Sequence, residues 1–142
     1  RSRRVARRRV EHPRARRPLA IDRPMQHQSG PMTNASPSRR VLLTGALGNL
    51  GRTTMAALLE EGHAVRAFDL PTKANRRAAK KLPPGVEIVF GDVTDASACA
   101  EAVRGVDAIV HLAALTPPAT ERMPEIARKV NVEGTRNLVR AA

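Results

Sequence analysis

The chain has 142 residues and a formal net charge of +12, from 25 Lys+Arg against 13 Asp+Glu. The excess is local: residues 1–40 hold 12 Arg against Glu11 and Asp22, so the 13 basic and 11 acidic residues of 41–142 nearly balance. About one domain's length with a near-neutral body excludes reading the whole chain as a nucleic-acid binder.

The basic segment has five prolines, no aromatic residue and no apolar periodicity. Such a stretch buries too little surface to offset its ordering entropy, so residues 1–38 are expected to be a disordered Arg/Pro-rich tail. It has no apolar core of a secretory signal, while an Arg-rich, acid-poor transit peptide stays open. The chain opens on Arg and its pattern changes at about Arg39. Both features lead to the expectation that the tail is upstream sequence, with Met32 or Met25 as the native start.

From residue 39 onward, short apolar runs alternate with longer helical ones. RVLLT (40–44) reads as a buried strand, followed by a helix from about Asn49 to Glu61 with Gly62 behind it. AVRAFDL (64–70) is a second strand, and a basic helix follows over about Lys73–Lys81. After Pro83, Pro84 and Gly85 comes a third strand, VEIVF (86–90), then a helix capped by Asp95 and ending near Arg104. DAIVHLAA (107–114) is the fourth strand, and a last helix runs from about Pro124 to the chain end.

The strand runs are near-continuous and β-branched rather than alternating, as strands buried on both faces must be. The expected fold is therefore α/β: a Rossmann-like, doubly wound parallel sheet with helices on both sides, holding four strands and the helix after the fourth.

The first strand runs into VLLTGALGNLGRTT (41–54), with Gly45, Gly48 and Gly51 three apart. A strand that turns tightly into a helix points free backbone N–H groups at one spot, and the helix dipole adds positive charge there. Gly45 permits the turn, Gly48 lets the backbone approach a diphosphate, and Gly51 lets the helix pack on the sheet. The spacing is G-x-x-G-x-x-G rather than the commoner G-x-G-x-x-G. Asp69 ends the second strand, where a carboxylate accepts the hydroxyls of an adenosine ribose and repels a 2′-phosphate. That favours NAD over NADP, although Arg66 and Lys73 stand close enough in sequence to serve a phosphate.

Cys99 is the single cysteine, which fits a cytoplasmic setting and, within ASACAEAV, a buried inert thiol. His12, His27, His63 and His111 are scattered without ligand spacing, so no metal site is expected. No apolar run approaches the length of a membrane span.

Read with GDVTD (91–95), VHLAA (110–114) and NVEGTRNLVRAA (131–142), the stretch TGALGNLG resembles the extended short-chain dehydrogenase/reductase family, the NAD-dependent epimerase/dehydratase group. The resemblance covers about residues 39–142. It implies that Gly45, Leu47, Gly48, Asn49, Leu50 and Gly51 hold the pyrophosphate and that Asp69 holds the adenosine ribose. It puts Asp92 and Val93 at the adenine, Leu112, Ala113, Ala114 and Thr116 along the cofactor's middle, and Asn131 by the nicotinamide half. Asn131 also reads as a residue that caps or bridges the sheet, and His111 as a core position.

The resemblance further implies NAD, a small-molecule substrate such as a nucleotide-sugar or a similar hydroxyl/carbonyl compound, and a homodimer of the full-length protein. In this family the chemistry belongs to a Ser/Thr after the fifth strand and a Tyr-x-x-x-Lys on the next helix. The sequence holds no tyrosine, and neither Thr116 nor Lys129 has the catalytic spacing. The chain therefore reads as the cofactor-binding half of such an enzyme, inactive by itself. A non-catalytic regulator that senses a dinucleotide on the same fold is the alternative.

Overall fold

The computed structural model describes residues 38–142, so the expected tail lies outside the described residues except for Ser38. Four parallel strands, β1 (Arg40–Thr44), β2 (Ala64–Asp69), β3 (Glu87–Phe90) and β4 (Ala108–His111), form one sheet in the order β3-β2-β1-β4. β1 pairs with β2 from Arg40↔Ala64 to Thr44↔Phe68, and with β4 from Val41↔Ala108 to Thr44↔His111. The order reverses between β1 and its two neighbours, so a crevice opens beyond the carboxyl ends of β1, β2 and β4.

Helices α1 (Asn49–Glu60), α2 (Lys73–Ala79) and α3 (Ala96–Val103) follow the first three strands. After β4 come a short α4 (Ala119–Arg122), then α5 (Pro124–Arg128), a π-helical turn (Lys129–Gly134) and α6 (Thr135–Ala141). The expected last helix thus begins where Pro124 stands, but it widens by one residue per turn in its middle. α4 is too short to show a period, and the sequence reading passes over it.

Alternation along the strands divides the core into two layers. Leu42 and Phe68 face Val93, Cys99, Ala102, Val103 and Leu138, which come from the β3–α3 loop, α3 and α6. Leu43, Val65 and Ala67 face Ala46 and Met55, with Leu58 and Leu59 of α1 packed against them. Each sheet face is covered, which is why the strand sequences show no polar side. With aromatics limited to Phe68 and Phe90, Leu, Val and Ala fill most of this volume.

Candidate cofactor cleft

A cleft of about 260 Å³ opens at the carboxyl ends of the strands. Eight residues expected at a cofactor line it: Gly45 and Gly48, Asp69, Asp92 and Val93, and Leu112, Ala113 and Ala114. Phe68, Leu70, Gly91, Leu115 and Val130 complete the wall. Ligand pockets commonly run from roughly 300 to 1,000 Å³, so this space suits part of a dinucleotide rather than all of it.

The glycine turn is set by close backbone approach. Gly45 has φ +65°, and a Cβ there would meet Ala113 N at 2.8 Å and Leu112 C at 2.9 Å. A Cβ on Gly51 would meet Gly45 O at 2.2 Å, so α1 sits directly against the turn. Gly48 is freer, with Gly45 O at 3.3 Å from the same position. α1 begins behind Gly48 with no side-chain cap, whereas Thr72 caps α2 and Asp95 caps α3. Asn49, Leu50 and Gly51 thus stand in the first turn, where backbone N–H groups have no intrahelical acceptor. Leu47 is buried and Leu50 is exposed; neither they nor Asn49 and Gly51 line the cleft by side chain.

Asp69 is held by three donors. Its Oδ1 accepts from Leu70 N–H (2.8 Å) and Asn75 Nδ2 (2.9 Å), and its Oδ2 from Leu47 N–H (2.9 Å). A carboxylate offers about four lone-pair sites, so one site remains, on Oδ2. For Asp69 to take both ribose hydroxyls, one of these three donors must yield. Asn75 is a residue that reading missed, although its place three residues behind the Thr72 cap is a visible signal. Asp92 accepts from Thr94 N–H (2.8 Å) through Oδ1. Val93 is fixed from behind: its carbonyl accepts from Asn137 Nδ2 (3.0 Å), and Gly134 lies so close that a Cβ would meet Val93 Cγ2 at 2.7 Å.

Two expected residues stand elsewhere. Asn131 lies in the π-helical turn, where its amide donates to Leu115 O (2.9 Å) and accepts from Leu115 N–H (2.8 Å). Both bonds run to the loop after β4 rather than to a strand. Thr116 is exposed, and its carbonyl accepts from Ala119 N–H at the start of α4. Arg66, considered for a phosphate, is turned away: it pairs with Glu87 (2.8 Å) and donates to Ala102 O and Arg104 O at the end of α3.

Burial and the nearby carboxylates of Asp95 and Asp92 push the Cys99 thiol above its ordinary pKa, in keeping with an inert side chain. Among the described residues no group of three or more His, Cys, Asp or Glu is placed to hold a metal ion. No helix among them is long and apolar enough to cross a membrane.

Residues 42–142 match the 3-beta hydroxysteroid dehydrogenase/isomerase family. The chain belongs to that family. Its members lie within the extended short-chain dehydrogenase/reductases that the four motifs resemble, a group of oxidoreductases. The 3 beta-hydroxysteroid dehydrogenase/Delta 5-->4-isomerase of Mycobacterium tuberculosis (strain CDC 1551 / Oshkosh) is 41% identical over 109 residues, covering 72% of this chain and 28% of the relative. This chain therefore spans under a third of that relative's length.

Among solved structures, a short-chain dehydrogenase/reductase superfamily protein from Agrobacterium tumefaciens with bound NAD is 38% identical. It has a TM-score of 0.56 and covers 72% of this chain and 28% of its own. The dTDP-glucose 4,6-dehydratase of Streptomyces venezuelae, also solved with NAD, is 34% identical with a TM-score of 0.63, covering 72% and 35%.

Proposed function

We propose that this chain is the NAD-binding part of an oxidoreductase that oxidises a secondary hydroxyl, with a hydroxysteroid as substrate class. The observation that carries the cofactor reading is the uncapped start of α1 at the glycine turn, with Asp69 at the neighbouring strand end. A negatively charged diphosphate satisfies the N–H groups that no side chain reaches. The remaining Oδ2 site of Asp69 takes a ribose hydroxyl and disfavours a 2′-phosphate, so NAD is preferred to NADP. In this reading Asp92 accepts from the adenine amino group, and the apolar run Leu112–Leu115 excludes water from the cofactor's middle.

Bound NAD supplies the hydride acceptor. The family match and the named activity of the Mycobacterium tuberculosis relative support a hydroxysteroid over the nucleotide-sugar that the motifs alone suggested. Because its 142 residues include no tyrosine, this polypeptide by itself is expected to transfer no hydride. A cytoplasmic setting, drawn from the lone cysteine, belongs to the same proposal.

Calorimetric titration of the chain with NAD and with NADP tests the reading. The expected result is weak binding of NAD, around the millimolar range (about −4 kcal/mol), with NADP weaker still. Equal or tighter binding of NADP contradicts the role given to Asp69.

A further inference from the structure

His111 lies one residue before the segment Leu112–Leu115, and its ring connects the two clamps that hold that segment. At one end, Thr44 Oγ1 accepts from Leu112 N–H (3.1 Å) and Ala113 N–H (3.2 Å). At the other, Asn131 grips both backbone groups of Leu115. His111 Nδ1 is 2.6 Å from Thr44 Oγ1, and Nε2 is 3.1 Å from Thr135 Oγ1.

The hydrogen positions follow from both ends of this chain. Backbone N–H groups only donate, so the two arriving at Thr44 Oγ1 use it as an acceptor. The Thr44 hydroxyl hydrogen is left for His111 Nδ1. At the far side, Thr135 Oγ1 donates to Asn131 O (2.7 Å), so it accepts from His111 Nε2–H. Both ends require the same neutral tautomer, with the hydrogen on Nε2.

We infer that His111 is a positioning residue for the cleft: as the neutral Nε2–H tautomer it ties Thr44 of β1 to Thr135 of α6 and so keeps Leu112–Leu115 in the shape that lines the site. Thr135 is its partner in that task. A proton added at Nδ1 points at the Thr44 hydroxyl hydrogen, and Thr44 then gives up an N–H of Leu112 or Ala113 to turn a lone pair toward the ring. Burial lowers the pKa of the imidazole, which keeps the neutral form dominant at neutral pH. The hollow beside the ring is lined by Ile109, Thr135, Leu138, Val139 and Ala142, none with a charged side chain. Thr44 on the other side is uncharged.

This inference rests on the cleft being the NAD site, and the test separates the two. The ¹⁵N-labelled 142-residue chain is titrated with NAD at about pH 8 and about pH 5.5, on either side of the ordinary imidazole range, as wild type, His111→Gln and Thr135→Ser. Losing one hydrogen bond's worth of positioning, NAD affinity of the wild type falls about fivefold to tenfold at the lower pH. Thr135→Ser keeps that profile and His111→Gln flattens it. Without NAD, the Leu112 and Ala113 amide signals move with the His111 titration. Amide signals that ignore that titration, or a shared pH profile in wild type and His111→Gln, overturn the inference. If NAD fails to bind even at the higher pH, the cofactor reading fails, and the amide titration still decides the role of His111.

Discussion

Replacing Gly51 with alanine probes the cradle at its tightest point. The new Cβ meets Gly45 O at 2.2 Å and Ala46 C and Cα at 2.7 Å, all backbone atoms that cannot rotate aside. Ordinary contact begins near 3.4 Å, so the first turn of α1 must move about 1.2 Å away from the glycine turn. Overpacking typically costs about 1–3 kcal/mol, and this clash with backbone belongs at the upper end. Alanine returns about 1 kcal/mol through its better helix propensity. The net loss is about 2 kcal/mol, or roughly 10 °C in the unfolding midpoint for a domain of this size.

The same displacement carries the free N–H groups of α1 off the diphosphate, so NAD affinity falls at least about tenfold, the equivalent of one charge-assisted hydrogen bond. Thermal unfolding by circular dichroism and calorimetric titration read the two effects separately. Gly62→Ala is the control: its φ is +81° with nothing within 4 Å, so it costs about 1–2 kcal/mol of backbone strain and leaves NAD affinity unchanged. A Gly51→Ala chain with unaltered midpoint and unaltered affinity would refute the steric argument.

Asp69→Ala removes both the last ribose acceptor and the partner of Leu47 N–H; NAD affinity should drop by about 1.5–3 kcal/mol in calorimetry, and the preference over NADP should narrow. Undiminished discrimination would move the source of specificity elsewhere. Leu42→Ala empties a fully buried position under α3 and α6, and urea unfolding should show a loss of about 2–5 kcal/mol; a loss under about 1 kcal/mol would mean that this layer is not packed as described. Acid should weaken the fold through His111. Its folded pKa lies below the ordinary 6.5, so the unfolded chain takes up the proton first. The contribution of the neutral ring is complete above about pH 6.5 and is lost as pH falls below it. Unfolding midpoints of wild type and His111→Gln should therefore converge on acidification, and parallel curves would contradict the sign.

The strands, their parallel arrangement and the glycine turn were legible because they depend on local pattern: β-branched runs, helix caps and three glycines behind Thr44. The residues that hold the site in shape were less visible. Asn137 and Gly134 act on Val93 across the fold, and nothing in their own neighbourhoods marks that. The π-helical turn is of the same kind. It places Asn131 opposite Leu115 and seats Gly134 against Val93, and both are tertiary contacts that no helical period reports. Asp69 shows the limit from the other side. Its identity was readable, but how many of its lone pairs the protein itself consumes emerges only once Leu47, Leu70 and Asn75 are in place.

The central claim is that the cleft at the strand ends binds NAD through the α1 amides, Asp69 and the Leu112–Leu115 wall. Mapping amide shifts of the ¹⁵N-labelled chain during NAD titration tests it most directly. The expected changes concentrate at Leu47–Gly51, Asp69–Leu70, Asp92–Val93 and Leu112–Leu115. Saturating NAD that leaves those signals in place, or moves a different surface instead, would contradict it.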